Sequence, residues 1–553
     1  MATFTFPLIA SSVLFILVYK YVIYPAFLSP LARIPNAHWS APFSRAWILG
    51  VRFGKRESKT LFSAHKRLGS NVVRVGPNEL SLDGLEAVKI VYGGGWDKGS
   101  WYGVFDNYGV PCMFSAKGAA EHSAKKRMIS HVYSKSFIQG SQAAKEQARE
   151  IIYGRLLPAL VSEGGVSVHE REPSGLDVYS LFMAATMDFI AAYIFGLNGG
   201  ADFLRKRAFR EHFLELYKAR NDYSIFDQEM PWFTGFCRRL GIPLCPTWVD
   251  AANQEMGAWC RGLCEARAER SRVRKAGVDG GGDVPVVWNA LAEGMEKEMD
   301  TNGVGSVLCS TALTNSKLSV SSELFDHVLA GQETAGLVLA YLSWRLSKSL
   351  KLQQQLRAEL LGLKPNMQLA TEGDSTPAQL PDARQLDSLP LLHAVLMETL
   401  RLHAPIPGLQ PRQSPDSGSR IGEYAIPGGI RVAAMAYSLH RDEDVFPDPE
   451  TWDHTRWLPS TSTDEERKRR NRHFWAFSSG GRMCIGSNFA MNEMKLVIAA
   501  IYSNYTSHIV DDEGMASQSD GYAGRPAKES LYLRFEKALG IGAEGVSTRI
   551  SLR

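Results

Sequence analysis

Residues 4–28 are nearly all apolar, and Lys20 carries the only charge among them. A stretch of this length has two ways to fold. It spans a bilayer, which takes about 20 residues rising about 1.5 Å each, or it forms a terminal helix buried in a core. No basic segment precedes the run and no clear small-residue cleavage site follows it. The expectation is a retained anchor, not a cleaved signal peptide. Arg33, Arg45, Arg52, Lys55, Arg56 and Lys59 come after the run. The positive-inside rule therefore puts the rest of the chain in the cytosol, and Lys20 can snorkel to that side. Pro30, Pro35 and Pro42 predict a stiff connector. The expected organisation is an anchor over 1–28, a proline-containing linker over 29–60 and one domain over 61–553.

The chain of 553 residues is long enough to enclose a large core. Its formal charge of +4 is spread along the sequence, which excludes the concentrated basic stripe of a nucleic-acid binder. An odd count of seven cysteines in so long a chain argues against a disulfide-stapled secreted fold. Cys260 and Cys264 can share a helix face, but no second ligand pair with metal-binding spacing stands near them.

Short β-prone runs at 72–75 and 80–82, separated by Gly76-Pro77-Asn78, predict a small sheet near the start of the domain. Helical periodicity then dominates, over 119–135, 142–161, 176–196, 201–220, 250–275, 284–300 and 321–349. Glycine-rich residues 277–282 and polar residues 364–381 read as surface loops. Strand signals return over 420–436 and weakly after 524. The basic run Arg467-Lys468-Arg469-Arg470-Asn471-Arg472 is either a solvated face or a docking surface.

The sharpest signal is Phe477-Ser478-Ser479-Gly480-Gly481-Arg482-Met483-Cys484-Ile485-Gly486. It resembles the heme-binding signature of the cytochrome P450 family, F-x-x-G-x-R-x-C-x-G, at every fixed position. The resemblance implies that Cys484 is the axial thiolate of heme b (iron protoporphyrin IX), since thiolate ligation favours O–O cleavage. Gly480 and Gly486 would let backbone N–H groups approach the sulfur. Arg482 would pair with a propionate, and Phe477 would shield the ring and sulfur.

Further motifs follow the family's order. Glu398-Thr399-Leu400-Arg401 resembles its E-x-x-R helix, and Trp452-Asp453-His454-Thr455-Arg456-Trp457 its later aromatic-and-arginine segment. Glu398, Arg401 and Arg456 are expected to form a structural network. Ala330-Gly331-Gln332-Glu333-Thr334 resembles the A-G-x-D/E-T element beside bound oxygen. There Thr334 would hydrogen-bond and Glu333 would relay protons. Near Glu121-His122-Ser123-Ala124-Lys125-Lys126-Arg127, His122 with either Lys126 or Arg127 would meet a propionate. Arg412 and His440 are further candidates.

The resemblance covers the chain from the anchor to about residue 550 and is nearest to microsomal, fungal members that tailor secondary metabolites. It implies a mainly α fold: a single P450-type helical domain with small peripheral β-sheets and an N-terminal transmembrane helix. It places that domain on the cytosolic face of the endoplasmic reticulum membrane. The implied activity is NADPH- and O2-dependent monooxygenation, hydroxylation or epoxidation of a hydrophobic polyketide, terpenoid or alkaloid. Desaturation, oxidative coupling and reductase-independent isomerisation or dehydration are the alternatives. Electrons would come from a separate NADPH-cytochrome P450 reductase, with cytochrome b5 as an optional second donor. Phe213, Tyr217, Phe226, Trp232 and Phe233 are expected to line an apolar pocket.

Overall fold

Only Ser180 escapes full burial in the helix Val178–Phe195, which is apolar on every side and therefore belongs in a core. Asp177 caps it by accepting from the Tyr179 backbone N–H. It packs along the central helix Ser316–Ser347. Gly331 makes the close approach possible, since a Cβ there would lie 2.6 Å from Ile190 Cγ1. Thr186 Oγ1 donates to the Gln332 carbonyl at 2.7 Å and fixes the two helices in register. The computed structural model describes residues 2–164, 175–275, 283–369, 378–519, 521–526 and 528–538. The expected loop at 277–282 lies outside the described residues, as does 370–377 of the second one.

Around this pair the helices Thr247–Lys275, Val286–Asn302, Leu350–Leu361, Pro390–Leu402 and Ser487–Asn504 build a mainly α domain with small peripheral sheets. One sheet has four strands, in the order Val72–Gly76, Glu79–Leu82, Arg431–Met435, Leu409–Gln413. Its middle pair is parallel and the outer pairs are antiparallel. Tyr532–Lys537 lies between Leu176–Asp177 and Tyr505–Asp511 in a second sheet.

Several sequence expectations need correction. The helix expected from 176 starts at Val178, because Leu176 and Asp177 pair with Leu533 and Tyr532. The helix expected over 119–135 ends at Ile129, and Ser134 caps a new one, Lys135–Gly140. Residues 30–53 are no free linker. Leu31, Ile34, Ala41 and Ile48 are buried, and Ala46–Phe53 is a helix against the domain. Pro30 opens a short 3-10 turn there, using the ring's fixed φ where no N–H is needed.

Two helical stretches among the described residues are long and apolar enough to cross a membrane. Val178–Phe195 is the core helix, whereas Ile9–Leu28 is unburied. The latter ends on the domain through Arg74, whose guanidinium donates to the Pro25 carbonyl at 2.7 Å.

Candidate active site

Cys484 sits in a strained loop. Ser478 has φ 61° and Gly480 φ 73°, and a Cβ on Gly480 would run into the Tyr92 carbonyl. Glycine is required there both by backbone conformation and by space. The Gly486 N–H approaches the Cys484 sulfur as expected, although its φ of −81° and the open space around it do not themselves demand glycine. Its smallness is felt only by whatever fills the adjoining cavity, which it lines. The Cys484 N–H donates to the Phe477 carbonyl at 3.0 Å and closes the loop.

That cavity, of about 1470 Å³, runs from Cys484 to the far wall of the domain. Cys484 is exposed, yet protein surrounds it, so its free surface faces the cavity. Burial pushes its thiol pKa up, while the Gly486 and Ser487 N–H groups and Lys126 oppose the rise. Of the seven cysteines only Cys245 also lines this space, at its roof, where its sulfur lies 3.7 Å from the Tyr223 carbonyl. Phe477 lines the floor beside the sulfur.

One rim collects cations. Arg482 donates to the Ala116 and Lys117 carbonyls at 2.7 and 2.5 Å. Arg412 donates to Tyr102 Oη at 3.0 Å and lies over the Tyr92 ring. Lys98 Nζ donates to the Phe114 carbonyl at 2.5 Å. His122 completes the group. Burial lowers the pKa of Arg482 to about 10 and of His122 to about 3, with the neighbouring cations adding to both shifts. Lys98 is pushed down in the same way. Asp97, 3.7 Å from Arg482, is exposed. Cations crowded in a buried rim without a matching carboxylate lack an anion.

Sequence reasoning missed Lys98, whose loop carries no motif. It left Lys126 and Arg127 undecided. Lys126 reaches the cysteine loop, donating to the Gly481 carbonyl at 2.9 Å, and Arg127 is exposed. His440 is not brought to the cavity. Its Nδ1 contacts the Arg401 carbonyl at 2.8 Å and its Nε2 accepts from the Trp475 N–H at 2.8 Å. With both ring nitrogens used, and its pKa lowered to about 3 chiefly by burial, it is a neutral bridge between backbone segments.

Over the cysteine runs the central helix. Ala330 is exposed into the cavity, and Thr334 Oγ1 donates to its carbonyl at 2.8 Å. That bond uses the hydroxyl proton and turns the oxygen lone pairs outward. Gly331 lines the cavity and also makes the helix contact with Ile190. Glu333 is not free. Tyr217 Oη donates to it at 2.6 Å and Arg525 Nε forms an ion pair with it.

Behind the loop lies a fully buried network. Arg401 Nε and its terminal nitrogen each donate to Glu398 at 2.8 Å. Arg456 is 3.4 Å from the same carboxylate. Trp457 Nε1 and the Asp453 N–H add bonds of 2.9 Å each. Arg401 also donates to the His440, Pro449 and Thr451 carbonyls, binding the E-x-x-R helix to the segment before the loop.

The expected pocket aromatics separate. Tyr217 and Phe226 line the cavity. Phe213 packs in the core against Phe203 and Trp259. Trp232 and Phe233 point outward. The roof is held by Glu229, at the end of Ser224–Glu229. It accepts from Arg45 at 2.6 Å, Arg52 at 3.1 Å, Arg431 at 2.8 Å and Trp101 Nε1 at 2.9 Å. Burial opposes its charge, but Arg52 and Arg431 win and hold its pKa well below the ordinary glutamate range. The clamp is therefore complete above that range and is lost only as pH falls below it. Glu229→Gln is expected to remove on the order of 3–5 kcal/mol of local closure. The check is amide exchange over 224–239, which should quicken; unchanged exchange would show that the clamp closes nothing.

A mainly helical domain whose strained cysteine loop faces a small-residue helix across a cation-rimmed cavity has the architecture of a heme-thiolate enzyme. The comparisons agree: the family model described as cytochrome P450 matches residues 306–531. Cytochrome P450 monooxygenase aflV of Aspergillus parasiticus is 28% identical over 87% of this chain and 86% of its own length. Tryprostatin B 6-hydroxylase of Aspergillus fumigatus is 25% identical over 89% of this chain and 78% of its own. The crystal structure of the cytochrome P450DA heme domain superposes with a TM-score of 0.64 at 18% identity, covering 91% of this chain and 97% of that one. The chain belongs to the cytochrome P450 family and is related to fungal secondary-metabolite monooxygenases. It is an enzyme acting on small hydrophobic molecules, with a thiolate-ligated heme b as cofactor. The cavity fits that group: the single floor thiol, the apolar walls and the unmatched cations suit an iron porphyrin with two propionates.

Proposed function

We propose that this enzyme hydroxylates or epoxidises a hydrophobic fungal secondary metabolite, a polyketide, terpenoid or alkaloid, with Cys484 as the axial ligand. The observation that carries this reading is the meeting of Cys484, the cation rim and the Thr334 hydroxyl on one cavity. Lys98, Arg412 and Arg482 would hold the propionates, with His122 as a neutral neighbour and Lys126 steadying the loop. Phe477 and Gly486 would lie against the porphyrin. Bound heme supplies the reductive activation of dioxygen, powered by an external electron donor.

The chain's own residues manage protons and water. Thr334 Oγ1 accepts a hydrogen bond from the cavity or, on rotating away from the Ala330 carbonyl, donates one. Glu333 serves as the inner proton donor and acceptor only when Arg525 releases it, so the Glu333–Arg525 pair gates exchange with solvent. Thr334→Ala is expected to lower product formed per NADPH consumed about tenfold or more, with reduced oxygen escaping as peroxide. Product and peroxide are measured together in the reconstituted enzyme. Unchanged coupling would remove Thr334 from the proton path.

Electrons would arrive from NADPH-cytochrome P450 reductase, with cytochrome b5 as a second donor. The basic run is less free than its sequence suggests. Arg470 donates to the Arg456 carbonyl at 2.5 Å, Arg467 pairs with Asp464, and Arg472 lies 3.5 Å from Glu465. Lys468 and Arg469 remain exposed on that helix as attractors for an acidic partner. A single-pass anchor over 1–28 would hold the domain, from about residue 30 onward, on the cytosolic face of the endoplasmic reticulum. Exposed Trp232, Phe233, Phe236, Leu240 and Ile242 supply a second apolar patch for that surface.

A further inference from the structure

Among the described residues, two charged side chains of the cavity wall, Arg220 and Asp326, lie in each other's field without a direct bond. Arg220 lies one turn beyond Tyr217 on Arg207–Asp222, so both can face the central helix. Tyr217 meets Glu333 there, while the Arg220 guanidinium lies 5.4 Å from the centre of the Phe325 ring. Asp326, Ala330 and Thr334 follow each other at intervals of four residues along the central helix. They therefore share one face, and all three line the cavity. Neither Arg220 nor Asp326 makes a hydrogen bond or ion pair with any described residue. This contrasts with Glu333, two turns away, whose carboxylate is fully engaged.

Burial pushes the Asp326 carboxyl pKa up to about 6 and lowers that of Arg220. Each feels the other's charge, but charges without a direct hydrogen-bonding partner in such surroundings are costly, and a pocket that handled only hydrocarbon would be more stable without them. Polar groups of a pocket that still lack a direct partner orient the ligand that satisfies them. Phe105, Phe114, Phe325 and Tyr522 add aromatic faces to the same cavity.

We propose that Arg220 and Asp326 are the polar recognition pair of the substrate site, and that the substrate is a flat apolar skeleton bearing an anionic oxygen and a separate hydrogen-bond donor. The anionic oxygen, a carboxylate or an acidic hydroxyl, pairs with the Arg220 guanidinium across two N–H donors. The donor, a hydroxyl or N–H, meets the Asp326 carboxylate. This rests on the cavity being the substrate pocket of the heme enzyme. Arg220 and Asp326 set which end of the molecule lies away from Thr334, and thereby which carbon lies beside it.

The test uses the full-length heme-loaded protein and two probes, anthracene-2-carboxylate and its methyl ester, with binding read by equilibrium dialysis. The carboxylate is expected to bind at least about tenfold more tightly than the ester. Arg220→Gln should weaken the carboxylate about 10- to 100-fold and the ester less than about threefold. Arg220→Lys should restore part of the difference. An ester that binds as tightly as the carboxylate, or a variant that weakens both probes equally, overturns the proposal. Heme content and its absorption spectrum, recorded on the same samples, report separately on folding and on the heme site.

Discussion

Cys484→Ser is expected to leave a folded chain without its catalytic chemistry. Serine is nearly isosteric, and the loop is held by bonds that do not involve the sulfur, from the Cys484 N–H to Phe477 and from Arg482 to Ala116 and Lys117. The apoprotein should unfold within about 0.5 kcal/mol of the parent. The chemical change is large. In the protein without heme, burial favours the neutral thiol. As an iron ligand Cys484 would have to give up its thiol proton, and the Gly486 and Ser487 N–H groups and Lys126 favour that loss. A serine hydroxyl gives up its proton far less readily and donates less charge. Heme content should drop, any retained heme should lose the thiolate absorption, and turnover should fall at least about a thousandfold, equivalent to about 4 kcal/mol of barrier lowering. Cys309→Ser, outside the cavity, is the control. A variant that kept the thiolate spectrum would remove Cys484 from the iron.

Glu398→Ala should damage the fold itself. Glu398 is completely buried and accepts from Arg401, Trp457 and the Asp453 backbone while lying beside Arg456. Removing it leaves two buried guanidiniums without their carboxylate. Breaking a buried pair from one side costs about 3–5 kcal/mol, a large part of the roughly 5–15 kcal/mol that holds a typical domain folded. The urea midpoint should fall and heme should be lost early in the transition, because Arg401 also holds the segment from His440 to Thr451 that leads to the cysteine loop. Glu450→Ala, which breaks the partly exposed pair with Arg441, should change stability by less than about 1 kcal/mol. Equal effects of the two substitutions would refute the role of the buried network.

What the sequence made legible was local. The cysteine loop is a ten-residue code, and Glu398 with Arg401 is an i,i+3 pair, so each could be read without knowing the rest of the fold. Arg456 was reachable because its motif comes in a fixed order. Features made by distant segments were hidden. Glu229 binds Arg45, Arg52 and Arg431, as many as 202 positions away, and no window contains them. Lys98 matters only because its loop folds beside Arg412 and Arg482. His440 was misplaced because chain order gives neighbourhood but not direction: it sits beside the E-x-x-R helix and turns toward backbone. The prolines after residue 29 suggested a stiff spacer, yet Leu31, Ile34 and Ile48 bury themselves in the domain, and burial outweighed the local cue.

The most direct test of the account is mass spectrometry of metabolites from cells carrying the parent enzyme or Cys484→Ser, grown under isotopically heavy dioxygen. With the parent, a product is expected that exceeds a hydrophobic precursor by one oxygen atom carrying the heavy label; with the variant, that precursor should accumulate. A product isomeric with its precursor, or one whose added oxygen carries no label, would contradict monooxygenation.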